Sequence, residues 1–203
     1  METKTIIFIG PQGSGKGTQI EMLVEKLRQV DTERSVVDIQ TGRRFRALAA
    51  RGEGYTERHV ARTLDSGVLQ PLFLSVSLWA DAMREHLNRT DHVLIDGFPR
   101  TVAEAQVLDT ALSFYQRQQV DIINLDTPEE VVRQRMVERA RSDDTDDSIE
   151  ARLDWYRTEV LPVLDYYRQR EHTVVHDIDG TDSIEGVFQQ INDVLHITHG
   201  TDS

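Results

Sequence analysis

Short runs of consecutive apolar residues alternate along the chain with longer stretches in which apolar residues recur at helical spacing. The short runs predict buried strands at 6–9, 34–40, 92–96, 120–125 and 173–178. The longer stretches predict the helices that join them, because parallel strands need a crossover connection, usually a helix. This alternation predicts an α/β domain in which helices cover both faces of a parallel five-stranded sheet.

Two segments break this alternation. Residues 41–71 carry short helical patterns on either side of the glycine-containing 51–54, which predicts a small helical insert. Residues 141–147, RSDDTDD, are polar throughout, and the apolar spacing of 149–164 then predicts a further helix. We therefore expect a single domain, 1–203, without linkers or internal repeats. Its parts are a core of 1–40, 72–138 and 150–197, the insert 41–71 and a short lid 139–149.

The sequence GPQGSGKGT at 10–18 directly follows the first predicted strand. Its glycines let the backbone turn tightly and point N–H groups inward, and a helix that begins near Lys16 adds the positive end of its dipole. Such a loop binds oligophosphates, with the lysine on the β- and γ-phosphates. Its spacing matches GxxxxGK, although Gly17 replaces the usual serine or threonine and Thr18 follows one residue later. The alternative, a glycine-rich turn without a ligand, is disfavoured by a lysine at this spacing.

The composition narrows the range of chemistry. The chain has 203 residues and a net charge of -12, which disfavours nucleic acid polymers and anionic membranes as partners. It has no cysteine, which excludes disulfides, thiol catalysis and cysteine-based zinc sites. The sequence shows no secretion signal and no apolar run of membrane-spanning length. We therefore expect a cytoplasmic monomer whose partners are small molecules.

Arginines are concentrated near the ends of predicted strands, although the protein is acidic overall. They are Arg46, Arg100, Arg135, Arg139, Arg141 and Arg152. Phosphoryl transfer depends on alignment and on stabilising the charge of the migrating group, which arginines do well. Asp96 ends the third predicted strand, at the edge where open α/β sheets bind ligands. Any single arginine is more often a solvated surface charge. These arginines therefore indicate a phosphoryl-transfer site only when they are considered together with the phosphate loop.

Four blocks of sequence together resemble the nucleoside monophosphate kinases of the adenylate kinase family. They are GPQGSGKGTQ at 10–19, TGxxxR at 41–46, LIDGFPRT at 94–101 and RxxxRxRxDD at 135–144, followed by Arg152. The order Gly17-Thr18 is the usual form in that family. Only Ala140 separates Arg139 from Arg141, so the chain resembles a short-lid form of the family.

The resemblance implies a P-loop NTPase-type fold and a role for each matching residue. ATP would be bound by Gly13, Ser14, Gly15, Lys16, Gly17, Thr18, Arg135 and Gly180. The acceptor monophosphate would be bound by Thr41, Gly42, Arg46, Gly67, Leu69, Gly97, Arg100 and Glu104. The catalytic residues would be Lys16, Arg100, Arg139, Arg141 and Arg152, with Asp143 and Asp144 orienting the lid arginines. Thr18 and Asp96 would hold Mg²⁺, partly through water.

Glu104 departs from the family, whose adenylate-specific members carry glutamine at this position. A carboxylate only accepts hydrogen bonds, so it suits the N1 and N2 donors of guanine better than it suits adenine. Discrimination of about 1–3 kcal/mol is typical of bidentate base contacts. Two alternatives stay open at this point. Either Glu104 contacts the acceptor base, or it is solvated and Gln106 or the backbone makes that contact.

The resemblance implies an adenylate kinase-like enzyme that would reversibly transfer the γ-phosphate of ATP to AMP with Mg²⁺, giving two ADP. GMP or a pyrimidine monophosphate is the alternative acceptor because of Glu104. A kinase for a sugar or another alcohol is disfavoured, since an alcohol needs no phosphate grip from TGxxxR and GFPR. A non-catalytic ATP-binding protein ranks lower still, because every position with a role in transfer is filled.

The short lid predicts a side reaction. Lid closure normally keeps water away from the γ-phosphate, and a lid of so few residues excludes water less well. We therefore expect measurable ATP hydrolysis without an acceptor, detected as ADP release in the presence of Mg²⁺. A hydrolysis rate below about one thousandth of the transfer rate would contradict this expectation.

Overall fold

The computed structural model describes residues 1–66, 68–139 and 145–197. These ranges contain a five-stranded sheet with the strand order β2-β3-β1-β4-β5. Its strands are β1 (Thr5–Ile9), β2 (Val36–Gln40), β3 (His92–Asp96), β4 (Val120–Asp126) and β5 (Thr173–Asp179). Every neighbouring pair is parallel, so the predicted sheet is confirmed.

Helices connect the strands and pack on both faces of the sheet. They are α1 (Lys16–Val30), α2 (Thr41–Arg51), α3 (Tyr55–Asp65), α4 (Leu72–His86), α5 (Val102–Phe114), α6 (Glu129–Arg139), α7 (Asp146–Trp155), α8 (Leu161–Arg168) and α9 (Ile184–Leu195). The side chains of Thr101 and Ser183 cap α5 and α9 by accepting hydrogen bonds from first-turn N–H groups. Throughout the described ranges, each helix is too short or too polar to pass through a bilayer.

The sheet divides the apolar core into two layers. Because successive side chains of a strand point to opposite faces, Ile7 and Ile95 enter one layer and Ile6 and Leu94 enter the other. The first layer is covered by α4, α5 and α8 and includes Trp79, which is 1% exposed. The second layer is covered by α1 and α9. This packing on both faces fixes the central strands and therefore the loops at their ends.

The insert begins directly at the edge of the sheet, because the first residue of α2 follows the last residue of β2. Gly52, with a φ of 68°, ends α2 in the left-handed conformation, and α3 follows after a short turn. Phe45 of α2 and Val60 of α3 are each 2% exposed. The insert therefore has its own buried contacts and places the start of α2 beside the carboxyl edge of the sheet.

Helices α6 and α7 form the base of the predicted lid. They share a small apolar cluster made of Val132, Met136, Ile149 and Leu153. Arg139 is the last residue of α6. Of the residues predicted to act in the lid, Arg141, Asp143 and Asp144 lie outside the described residues, as does Gly67 of the insert.

The helix predicted over 149–164 is interrupted in the structure. It passes through a π-helical turn at Tyr156–Val160 before α8 begins. Pro162 has no N–H to donate to the preceding turn and its ring crowds a carbonyl oxygen there, so the hydrogen-bond ladder widens before it. The apolar spacing continues through the turn and gives no sign of it.

A buried histidine ties the start of β3 to the end of α1. His92 is 0% exposed, its Nδ1 accepts from the backbone N–H of Lys4 at 3.0 Å, and its Nε2 lies 3.2 Å from Oδ2 of Asp31. Because Nδ1 accepts, we assign the proton of a neutral ring to Nε2, which donates to Asp31. Burial lowers the pKa of His92, although Asp31 opposes this shift.

We expect the folded protein to lose stability as the pH falls below about 6.5, because the unfolded chain then binds a proton that folded His92 resists. In His92→Gln, the amide has an oxygen to accept from Lys4 and an N–H to donate to Asp31, but it does not titrate. Its free energy of unfolding should therefore fall less than that of the wild type between about pH 7.5 and about pH 5.5. Urea unfolding curves at both pH values measure this difference, and an equal fall in the two proteins would exclude His92 as its cause.

Candidate active site

A cavity of about 440 Å³ lies at the carboxyl edge of the sheet. Phe8 of β1 pairs with Asp96 of β3, so the loops that follow these two strands lie side by side. Most of the predicted site residues line this cavity, namely Gly13, Gly15, Lys16, Gly17, Thr18, Gly42, Arg46, Asp96, Gly97, Arg100, Arg135 and Arg139. The fold therefore brings together segments that lie far apart in the sequence.

The phosphate loop has the backbone shape that its glycines predict. Gly13 and Gly15 have φ angles of 97° and 100°, which favour glycine. At Gly13, a Cβ atom would lie 2.9 Å from Cγ of Met136, so α6 packs closely against the loop. Helix α1 begins at Lys16, which leaves its first N–H groups available to an anion in the cavity.

The ammonium group of Lys16 is held inside the loop. Its Nζ donates to the carbonyl oxygens of Gly10 at 2.7 Å and Pro11 at 2.8 Å. Burial lowers the pKa of Lys16 to about 8, and the charges of Arg100 and Arg139 add to this lowering, whereas a nearby carboxylate opposes it. Among the described residues that line the cavity, cations outnumber carboxylates. This balance favours a polyanionic ligand.

Asp96 and Thr18 fit the predicted magnesium site. Oδ1 of Asp96 is buried and has no hydrogen-bond partner within the described part of the chain, and Thr18 borders the same cavity. Over the same residues, no cluster of His, Asp and Glu is suited to hold a metal by itself. Such a sparse donor set suits Mg²⁺, which usually binds one or two carboxylates together with water and substrate phosphates.

The predicted acceptor site joins the start of α2 to the loop after β3. Oγ1 of Thr41 donates to the carbonyl oxygen of Gly97 at 2.8 Å. Gly97 has a φ of 80°, and a Cβ atom there would lie 2.5 Å from Oγ1 of Thr41. Only glycine allows this close approach. Arg46 and Arg100, one from each segment, line the cavity on this side.

The guanidinium of Arg100 contacts an indole ring and lies within electrostatic range of carboxylates and other arginines. Its Cζ is 5.3 Å from the ring centroid of Trp155 on α7, a distance typical of a cation–π contact. Burial lowers the pKa of Arg100, the Glu104 carboxylate opposes this shift, and the charges of Arg152 and Arg46 add to it. The insert, the loop after β3 and α7 therefore bring their arginines within electrostatic range of one another.

Arg135 of α6 connects the phosphate loop to the turn after β5. Its Nη1 donates to the carbonyl oxygen of Gly180 at 2.9 Å and to that of Ser14 at 3.4 Å. These predicted ATP-binding residues are therefore adjacent. Arg139 lines the cavity one turn later on α6. Arg152 on α7 is 5% exposed and lies within electrostatic range of Arg100.

Several predicted residues do not form part of the cavity wall; they are Ser14, Thr41, Leu69, Glu104, Arg152 and Gly180. Glu104 differs most from expectation. It is 2% exposed, so the alternative of a solvated Glu104 is wrong, and both of its carboxylate oxygens accept from protein donors. Its prediction as a base-contacting residue therefore gains no support from these hydrogen bonds. Arg141 and Gly67 lie outside the described residues.

Sequence reasoning missed some residues that line the cavity, above all Glu21, Arg43 and Trp155. Arg43 lies near the N-terminus of α2, where a cation is disfavoured. Two carboxylates compensate this charge, because its Nη2 lies 2.6 Å from Oε1 of Glu21 and its Nη1 lies 3.8 Å from Oδ2 of Asp38. Glu21 lies three residues after Thr18 and Trp155 three after Arg152. Helical spacing from a predicted site residue could therefore have identified both.

A strand, a glycine-rich loop and a helix around a half-buried lysine define the class of P-loop nucleotide-binding proteins. Within this class, the family model for adenylate kinase matches residues 8–172 of the chain. The chain therefore belongs to the adenylate kinase family.

The chain is also similar to curated adenylate kinases along most of its length. The adenylate kinase of a Cyanothece species is 36% identical over 197 residues, which cover 94% of each chain. Those of Corynebacterium urealyticum and Thermus thermophilus are 33% and 34% identical, over 91% and 96% of this chain and 94% and 98% of theirs. The family predicted from the sequence motifs is confirmed.

The lowered pKa of Lys16 predicts that ATP binding is coupled to proton uptake. Near pH 8 about half of Lys16 is uncharged, and bound phosphates restore its charge because an adjacent negative charge raises the pKa of an ammonium group. We expect uptake of about half a proton per ATP at this pH, measured by titration calorimetry in buffers of different ionisation enthalpy. In Lys16→Arg, the guanidinium stays charged and the uptake should disappear. Equal uptake by both proteins would contradict this assignment.

Proposed function

We propose that this protein reversibly transfers the γ-phosphate of ATP to AMP, giving two ADP, in a Mg²⁺-dependent reaction. The observation that carries the proposal is that one cavity is lined both by the phosphate loop and by Arg46 and Arg100, which come from two other segments. Two separate phosphate-binding groups in one cavity suit a reaction in which both the donor and the acceptor carry phosphates.

On the donor side, the loop N–H groups and the start of α1 bind the ATP phosphates, and the Lys16 ammonium stabilises charge on the β- and γ-phosphates. Arg135 lies against the loop and Gly180, which suits the adenine end of ATP. Thr18 and Asp96 would hold Mg²⁺, with water completing its coordination. When bound, the ion neutralises developing charge on the phosphate oxygens.

On the acceptor side, Arg46 and Arg100 grip the phosphate of AMP, because the planar guanidinium forms paired hydrogen bonds to phosphate oxygens. Arg139 and Arg152, together with Arg141, stabilise the phosphoryl group in transit. The chain supplies no general base in this scheme, since alignment and charge stabilisation account for most of the catalysis of phosphoryl transfer.

The protein acts as a cytoplasmic monomer in this proposal. One chain supplies residues for both the donor and the acceptor side, so the scheme needs no partner subunit. In this proposal the core 1–40, 72–138 and 150–197 carries the phosphate loop and Arg152. The insert 41–71 carries part of the acceptor site, and the lid 139–149 carries Arg139 and Arg141.

The proposal is tested by incubating the protein with ATP and Mg²⁺ and with AMP, GMP, CMP, UMP or dTMP separately, followed by chromatography of the diphosphates. We expect AMP to be the preferred acceptor. Preference for another base would overturn the assignment of AMP. Transfer to none of them would favour a non-catalytic nucleotide-binding protein.

The acceptor-side assignment predicts a selective effect of Arg100→Lys. A lysine keeps the charge but loses the paired hydrogen bonds to phosphate, so the KM for AMP should rise at least about tenfold while the KM for ATP changes by less than about threefold. Arg84→Lys is the matched control, because Arg84 is exposed on α4 and pairs with Asp81. Steady-state kinetics with each substrate varied in turn measure both constants. An equal rise in the KM for ATP would contradict the assignment.

A further inference from the structure

Glu104 is a buried carboxylate to which the proposed mechanism gives no role. It lies in the first turn of α5, is 2% exposed and does not line the cavity. A carboxylate is rarely buried unless its oxygens are well paired, because desolvation of a charge is costly. Its contacts are therefore informative about what it does.

Protein donors engage both oxygens of Glu104. Oε1 accepts from Oγ of Ser75 at 2.6 Å and from the indole Nε1 of Trp79 at 3.1 Å, both on α4. Oε2 accepts from the backbone N–H of Arg100 at 2.8 Å. The indole N–H of Trp79 and the backbone N–H of Arg100 can only donate, so a side chain that binds both of them must offer two acceptors, as a carboxylate does.

These bonds fix the loop that carries Arg100. The ring of Trp79 also stacks on Phe98, with centroids 5.2 Å apart and an angle of 5° between the planes. Phe98 and Arg100 flank Pro99, so α4 and the Glu104 carboxylate hold the loop on both sides of the proline. The guanidinium of Arg100 then extends to the cavity, where it lies over Trp155.

We propose that Glu104 is a positioning residue for Arg100 and does not contact the acceptor base. By holding the Arg100 N–H, Glu104 sets where the guanidinium meets the acceptor phosphate. This inference rests on the proposed function, which assigns Arg100 to that phosphate. Every nucleoside monophosphate presents the same phosphate, so a change at Glu104 alters the affinity for all of them by the same factor. A base-contacting residue would instead change their order.

Variants in a Trp79→Phe parent isolate the bond to Arg100. In wild type, a glutamine at 104 would leave either the Trp79 or the Arg100 N–H without an acceptor, since an amide has one acceptor oxygen. In the parent, the indole donor is gone. Glutamine can then accept from Arg100 and donate to the Ser75 hydroxyl, whereas leucine can do neither. W79F/E104Q therefore keeps the proposed contact, and W79F/E104L removes it.

The experiment measures the KM for AMP, the Ki of GMP as a competitor and the KM for ATP in all three proteins. In W79F/E104L we expect the AMP and GMP constants to rise by the same factor, about tenfold, while the KM for ATP stays within about twofold. W79F/E104Q should stay within about threefold of the parent for every constant. Amide exchange of Arg100 in the wild type should be slow, because the carboxylate binds that N–H in the absence of any substrate.

Three results would overturn the inference. A change in the ratio of the AMP and GMP constants in W79F/E104Q would show that Glu104 contacts the base. Equal losses for ATP and AMP in W79F/E104L would show a merely structural role. Fast exchange of the Arg100 amide would exclude the contact even if the leucine variant does not fold. Absence of transfer by the wild type, with a slow Arg100 amide, would instead count against the proposed function alone.

Discussion

The parallel pairing of β1 with β3 is the constraint on which the site depends. Their register runs from Thr5 opposite Val93 to Phe8 opposite Asp96, so the phosphate loop and the loop that carries Arg100 leave the sheet at the same edge. Apolar layers on both faces bury these strands, and each buried aliphatic side chain contributes about 1.5–3 kcal/mol. The distance between the two phosphate-binding groups is therefore set by the core.

The cations at the carboxyl edge of the sheet come from segments that are far apart in the sequence. The insert, the loop after β3, α6 and α7 each contribute an arginine, and these charges repel one another. Burial and this repulsion lower the pKa of Lys16 to about 8 and also lower that of Arg100. A bound polyphosphate compensates the positive charge of Lys16 and Arg100. The repulsion among these cations, which lowers the stability of the folded protein, therefore strengthens the binding of the polyphosphate.

Sequence patterns predicted the sheet, the phosphate loop and most of the cavity wall, because apolar periodicity and short motifs are local properties. They did not predict the environment of Glu104, since its partners Ser75 and Trp79 lie on a different helix and have no motif of their own. The π-helical turn before α8 was not predicted for a related reason. Apolar spacing indicates which face of a helix is buried, but it does not indicate the pattern of backbone hydrogen bonds. The ion pair between Arg43 and Glu21 likewise joins two helices and has no motif in the sequence.

The chain has two tryptophans, and each contacts a different residue of the loop at 98–100. Trp79 is buried against Phe98, whereas Trp155 is partly exposed beneath the Arg100 guanidinium. Indole emission depends on the polarity and charge around the ring. The protein therefore carries its own optical reporter without any attached dye, because Trp155 lies directly against the Arg100 guanidinium, whereas Trp79 is linked to Arg100 only through Glu104 and the loop.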